Sequence, residues 1–321
     1  MSRAGAVGGI VLRSVGVFVP VFLVGTFVTF ALQGASGLSP AHLQLGESAT
    51  PEAVAALEHE WGLDRPFLVQ YGDWFTGVLS GDLGASWYNG VDIADGLASR
   101  AVVSLSAAGL ALVIGIVGGL ALGTLAALRP RTLLDRAITA WTTLISTMPP
   151  FVVGIALVAV FSVGLGWLPS AGFVPFERSP QLWLAHLLLP ALALSVDTVA
   201  DVARQLRAGL VSAYRQDYVL GAVVRGLGPQ RIFFRHVLRN ALGPALAMLA
   251  LKFPNLIGGA VVTEAVFGLA GLGAFAADSA QRGDVPAVQG VLVVSIVVVV
   301  LFNVLVNLAL VRITPSSARG V

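Results

Sequence analysis

Ionisable side chains are scarce in this chain, so the few that interrupt its apolar runs are the first candidates for chemistry. Asp197 and Asp201 lie in one such run, and Lys252, the only lysine, lies in another. A charge at membrane depth is costly and is kept for pairing or for a pathway. If the runs are adjacent antiparallel helices, Asp197 and Lys252 sit at similar depth. Two arrangements then stand open: a buried ion pair, or two groups lining a route for a polar solute. Asp197 and Asp201 are one helical turn apart, so they face along one helix rather than across a substrate, which suits a catalytic aspartyl pair poorly. Asn303 and Asn307, also one turn apart, are expected to hold helices together. Gly34-Ala35-Ser36-Gly37 offers a serine in a glycine-flanked turn, without a histidine placed to activate it. His42, His59, His186 and His236 are scattered and cysteine is absent, so no zinc spacing or thiolate site is legible. A Gly-x-x-x-x-Gly-Lys-Ser/Thr loop cannot occur, because Lys252 follows Leu251 inside an apolar run. The chain therefore has no phosphate cradle of its own. Enzyme readings are poor, and no cofactor or metal is expected in it.

The elements that must position these residues are set by composition. Of 321 residues, 56% are hydrophobic and 11% charged, with mean hydropathy +0.87; a soluble domain carries about a quarter charged residues. Six membrane helices are expected, near Val11–Leu32, Val102–Leu128, Ala137–Val163, Trp183–Val202, Leu242–Val262 and Gly290–Val311. The first follows Arg3 and Arg13. It is expected to stay as an anchor, since no small-residue cleavage site closes it before Gln33. The last contains Val297 to Val300, a strand signal in water, but a lone strand cannot satisfy its backbone in lipid, so helix is expected. The fold class is all-α, integral to the membrane.

Charge gives the orientation. With the N-terminus inside, fourteen arginines fall on the inner side and four (Arg65, Arg100, Arg178, Arg282) on the outer. The positive-inside rule then puts both termini and the 203–241 loop in the cytoplasm. Nine of the seventeen acids lie in the first outer segment, Gln33–Arg100, with a helix expected near Pro51–Trp61. That segment is marginal as an independent fold and is expected to rest on the outer helix ends. The expected divisions are 1–32 (tail and first helix), 33–100 (outer segment), 101–312 (the remaining helices, with the 203–241 loop) and 313–321 (tail).

The long inner loop holds Asp217-Tyr218-Val219-Leu220-Gly221-Ala222-Val223-Val224-Arg225-Gly226-Leu227-Gly228-Pro229-Gln230-Arg231, continuing to Pro244. Glycine at Gly226 and the Gly228-Pro229 pair are expected to bend the chain around a short helix. A polar loop kept between membrane helices calls for a soluble partner. Pro149-Pro150 removes backbone bonds within the third span and is expected to kink it, either as static packing or as a hinge.

Asp217-Tyr218, Ala222, Gly226-Leu227, Arg235-His236, Leu238 to Leu242 and Pro244 together resemble the loop signature of permease subunits of binding-protein-dependent ABC importers. The match is to the branch that lacks the usual Glu, whose position holds Leu220. Three further stretches agree with the first (B-type) permease subunit of dipeptide, oligopeptide and nickel importers. They are Trp61 to Pro66 with Gln70-Tyr71, Trp74 and Gly81 to Ser86; Thr147 to Phe151 with Gly166 to Pro169; and Gly258 to Glu264 with Phe267, Gly271 to Gly273, Asp284, Pro286 and Gln289-Gly290. Departures are Ala270 for a usual Pro, Asn307 for a usual Asp, and Ile313-Thr314-Pro315-Ser316 at the end. The resemblance implies a type I importer permease fold and a non-catalytic subunit of the bacterial inner membrane. Its 217–232 segment is the expected coupling helix, with Asp217, Tyr218, Ala222, Arg225, Gly226, Gly228, Arg231 and Pro244 as the docking residues. Implied partners are a second homologous permease in a heterodimer, two cytoplasmic ATPase subunits that bind ATP and magnesium, an extracytoplasmic substrate-binding protein, and membrane lipid, with no nucleic acid. Peptide is the expected cargo. The alternative is an ion-coupled secondary carrier using Asp197, Asp201 and Lys252; it calls for inverted repeats, and none is visible.

Overall fold

The structure is a computed structural model, and it describes residues 3–35, 39–46 and 48–313. The 313–321 tail, apart from Ile313, and Ser36-Gly37 of the glycine–serine turn lie outside the described residues. In chain order the helices are α1 Arg3–Ala35, α2 Pro40–Leu45, α3 Pro51–Glu60, α4 Phe67–Ser80, α5 Ile93–Leu128, α6 Leu133–Ser146 and α7 Pro150–Leu157. They continue as α8 Pro180–Ala213, α9 Asp217–Val224, α10 Pro229–Ile232, α11 Leu238–Gly258, α12 Ala260–Val266, α13 Leu272–Gln281 and α14 Val285–Ile313. Wider π turns extend α7 over Val158–Gly164 and join α10 to α11 over Phe233–Val237. Among the described residues the only extended pairing is one bridge, Ala85 to Asp92. The fold is all-helical, as expected, and Val297 to Val300 are helical within α14.

Local chemistry explains the helix starts. Ser39, Thr50, Thr132 and Ser179 each accept the N–H of the residue three positions on, which satisfies an orphan donor of the first turn. Pro40, Pro51 and Pro180 follow at the first helical position, where a missing N–H costs nothing.

Among the described residues, four helices are long and apolar enough to cross a bilayer: 93–128, 180–213, 229–258 and 285–312. The expected first span appears as the apolar stretch Gly16–Leu32 within α1, shorter than these four. The expected continuous third span is broken. α6 and the Pro150–Gly164 helix are bent by 102° at Thr147-Met148-Pro149. Two consecutive residues, Met148 and Pro149, each precede a proline, and that position is pushed out of the α region. Pro149 accordingly takes ψ 140° and Pro150 starts a new helix. The proline pair redirects the chain rather than kinking a continuous helix.

The chain forms two compact units, one built chiefly from Leu105–Gly268 and taking in residues 301–313, the other from Leu12–Ser104 with Leu269–Val300. In the second unit the acidic outer segment does not stand alone. Phe30, Phe67 and Tyr71 interlock edge to face between α1 and α4, and the Tyr71 hydroxyl meets Thr26 Oγ1 at 2.9 Å. Buried Asp284 accepts the Ser86 hydroxyl at 2.5 Å and the Trp87 N–H at 3.1 Å, fixing the 81–92 loop to the start of α14.

In the first unit, α8 is the central element. At 1.5 Å per residue it is about 50 Å long, well beyond a bilayer core of about 30 Å. α5 lies directly on it: a Cβ at Gly115 or Gly119 would come within 2.6 Å of Thr198 or Val202, and one at Gly123 within 2.7 Å of the Ala203 carbonyl. Glycines one turn apart thus let the two backbones touch.

Candidate functional site

The 203–241 loop is a folded element, not a solvated connection. α8 ends at Ala213, and α9 begins at Asp217, whose carboxylate in the first turn suits the helix dipole. Val219 and Ala222 of α9 are buried with Leu206, Leu210 and Ala213 of α8, Ile232 of α10 and Ala241 of α11. The opposite side of the same helix carries Leu220, Val223 and Val224, exposed by 66%, 57% and 79%. One short helix therefore has two apolar faces, and only one of them is packed among the described residues.

α9 stops by a left-handed glycine. Gly226 has φ 72°, its N–H reaches the Val223 carbonyl at 2.9 Å, and the Leu227 N–H reaches the Ala222 carbonyl at 3.2 Å. This is the paired closure that ends many helices, with Leu227 packed back on the core. Gly228 behaves differently from expectation. Its φ is −65° and ψ 149°, an extended conformation open to any residue and the one Pro229 selects. The expected 217–232 coupling helix is in fact two helices, Asp217–Val224 and Pro229–Ile232, hinged over Arg225–Gly228. Arg225 and Arg231 are exposed, as are Asp217 and Tyr218, and Pro244 lies within α11.

Lys252 is paired, but with a different carboxylate from the one its depth suggested. Its Nζ lies 2.5 Å from Asp201 Oδ2, and Arg204 holds the other oxygen of the same carboxylate. The reason is directional. α8 and α11 run antiparallel, since Gly209 touches Ala241 while Asp201 meets Lys252. Side chains lean toward their own helix N-terminus. Lys252 thus leans toward the C-terminal end of α8, where Asp201 stands one turn beyond Asp197.

Sequence reasoning passed over a second charge pair. Asp135, in the first turn of α6, receives Arg207 Nε on Oδ1 at 2.5 Å and Nη2 on Oδ2 at 2.6 Å. Oδ2 also accepts the N–H of Arg131 at 2.8 Å, and Arg131 has φ 65°. The Asp135 side chain is 3% exposed and that of Arg207 33%. The α5–α6 turn is thereby tied to α8. The signal was an acid beside a basic turn, but its partner lies 72 residues away. Among the described residues there is no group of three or more His, Cys, Asp or Glu able to hold a metal.

Comparison with known proteins agrees with this architecture. Residues 119–319 match the family described as "Binding-protein-dependent transport system inner membrane component", and residues 7–92 match its N-terminal companion. The chain is 34% identical over 306 residues to the "Probable peptide ABC transporter permease protein" of Sinorhizobium fredii, covering 95% of this chain and 97% of that one. It is 31% identical to a di/tripeptide transport system permease of Pseudomonas aeruginosa (93% and 95% covered) and 31% identical to a glutathione transport system permease of Escherichia coli (96% and 97%). Among solved structures, a chain of the MetNI methionine ABC transporter, inward facing, superposes with TM-score 0.53 at 19% identity, over 68% of this chain and 96% of that one. That last likeness is one of fold.

Proposed function

Because this chain belongs to the family of binding-protein-dependent transport system inner membrane components, we propose that it is the permease subunit of an ATP-driven importer of short peptides. It is non-catalytic. In this reading it forms half of the translocation pathway with a second homologous permease and takes energy from two cytoplasmic ATPases, which bind the ATP and magnesium. An extracytoplasmic binding protein delivers the cargo. Both termini and the 203–241 loop face the cytoplasm, a placement supported by the fourteen-to-four arginine asymmetry. The six-span count of the family fold is retained, with α1 as the first span and the bent α6–α7 pair as the third. The ligands named for the relatives are peptides, di/tripeptides and glutathione; an unblocked linear peptide and glutathione each carry a free α-ammonium group.

The observation that carries the reading is the outward apolar face of α9. Leu220, Val223 and Val224 project from a helix whose other face is locked into the α8–α11 core. An exposed apolar patch next to basic residues marks a protein contact, and a groove of an ATPase subunit fits it. Gly226 allows the chain to leave this helix abruptly, so α9 stands as a short peg.

The test is reconstitution. The complete complex should take up peptide with ATP, and this chain purified alone should hydrolyse none. A Leu220→Ser/Val224→Ser subunit should reach the membrane folded yet lose both ATPase co-purification and uptake. Normal co-purification and transport by that variant would refute α9 as the docking element. The carrier alternative is not favoured, since Asp201 and Lys252 neutralise each other in the structure.

A further inference from the structure

The charges on α8 and α11 are unequally used. Asp201 is saturated, with Lys252 on one oxygen and Arg204 on the other. Asp197, one turn earlier on α8 and only half-buried, has no hydrogen bond or ion pair on its carboxyl among the described residues. Its buried neighbours on α8 carry no charge: Leu194 and Ala200 are apolar, and Ser195 and Thr198 offer only hydroxyls. Across from it, α11 presents Lys252 and, one turn on, the exposed amide of Asn255. A partly exposed row of Asp197, Asp201, Lys252 and Asn255 cannot rest against lipid tails, where each ionised group costs at least about 2.5 kcal/mol. It calls for a polar environment, which the translocation pathway shared with the second permease would supply.

The charge count narrows what solute suits it. Lys252 and Arg204 supply two positive charges and Asp201 cancels one, so the set reaches neutrality only with Asp197 ionised. A bare cation arriving here would leave an excess positive charge in a medium of low dielectric. A zwitterion adds no net charge, and its ammonium end supplies the donors that the Asp197 oxygens lack. Transport also needs an acceptor that is not already committed, because a site must hold its cargo and then let it go. Asp201 fails that condition and Asp197 meets it.

We propose that Asp197 is a pathway residue that accepts the α-ammonium group of a zwitterionic short peptide as it crosses this subunit, while the neighbouring Asp201–Lys252–Arg204 set is structural. The proposal rests on the importer reading above and assigns the substrate contact within it.

The experiment uses the complete importer in proteoliposomes, with tri-L-alanine as the probe. ATP-dependent uptake by the wild type tests the importer reading by itself: if no uptake is seen with this or other short peptides, that reading fails whatever Asp197 does. Given uptake, Asp197→Asn should lower the rate at saturating loaded binding protein by about tenfold, the order expected for one lost charge-assisted hydrogen bond. Asp197→Glu should restore most of it. The chain has no cysteine, so Asp197→Cys in a cysteine-free complex places a single reporter thiol. A membrane-impermeant cationic thiol reagent should label it, and loaded binding protein with tri-alanine should slow the labelling. Wild-type uptake by Asp197→Asn overturns the proposal. So does an Asp197→Cys thiol that stays unlabelled in every nucleotide state, including the case where Asp197→Asn simply fails to assemble, because the residue is then structural.

Discussion

Replacing the buried Asp135 of α6 by alanine is expected to destabilise this subunit strongly, and the structure allows the size to be estimated. The carboxylate is buried and makes three contacts, two from the Arg207 guanidinium and one from the Arg131 N–H. Removing one partner of a buried pair costs 3–5 kcal/mol, and because Arg207 is one-third exposed and can recover some water, about 3 kcal/mol applies here. The Arg131 N–H loses its acceptor while φ stays left-handed, adding about 1 kcal/mol. The expected total is about 4 kcal/mol, a large share of a typical folding free energy of 5–15 kcal/mol. Asp135→Asn keeps one acceptor oxygen and should lose about half as much. The Asp135→Ala/Arg207→Ala double variant should cost less than the two single losses combined, by an interaction energy within the usual range of about 0.5–3 kcal/mol. The assay is thermal and denaturant melting of the purified subunit in lipid nanodiscs for all four members of the cycle. An Asp135→Ala subunit that melts with the wild type, or strict additivity across the cycle, would refute the reasoning.

Three further outcomes are expected. Gly119→Val should fail to assemble or cost at least about 1–3 kcal/mol, because its Cβ would lie 2.6 Å from that of Val202, whereas Gly109→Ala, with nothing within 4 Å, should be silent; detergent-resistant yield of the two variants decides this. Gly226→Ala should lose about 1–2 kcal/mol from left-handed strain alone, and Gly226→Asn less, as read by melting, since no neighbour lies within 4 Å of the added Cβ; Gly226→Trp should in addition abolish uptake if an ATPase seats here. Lys252→Gln and Asp201→Asn should be non-additive in melting while Lys252→Gln and Asp197→Asn come closer to additive; the reverse order would contradict the observed pairing.

How much of this could be read in the sequence depended on how local the cause was. The end of α9 was legible, because a glycine needing positive φ is a property of one residue, and Gly226 has it. Gly228 looked the same in sequence but is merely the residue before a proline. The proline pair announced a disturbance of the third span, and the double exclusion of Met148 and Pro149 from the helix explains a break; the angle of 102° comes from packing that sequence does not carry. The two faces of α9 were invisible because Val219 and Ala222 on one side and Leu220 and Val223 on the other are all apolar. With no polarity contrast there is no period to detect. The choice of Asp201 over Asp197 turned on a one-turn offset set by side-chain lean, which a depth argument cannot resolve. The Asp135–Arg207 tie joins residues that only the α6–α8 packing brings together.

The construction of the first unit bears on how a push at the loop would be transmitted. Under the importer reading, force arrives at Leu220, Val223 and Val224. The opposite face of α9 is embedded among Leu206, Leu210 and Ala213 of α8, so displacement of the peg displaces α8. α8 in turn meets α5 at Gly115, Gly119 and Gly123 and meets α11 at Gly209, with no side-chain layer on the glycine side to rearrange. Close-packed interiors have low compressibility, and here even the soft outer shell of side chains is missing from the contacts. Asp135 with Arg207, and Asp201 with Lys252, pin α6 and α11 to the same helix. The expected response is therefore movement of α5, α6, α8 and α11 as one body. Relaxation is expected where the chain is weakest in backbone bonds, at Thr147-Met148-Pro149 and the π turn Val158–Gly164, because a broken helix bends at lower cost than a pinned one.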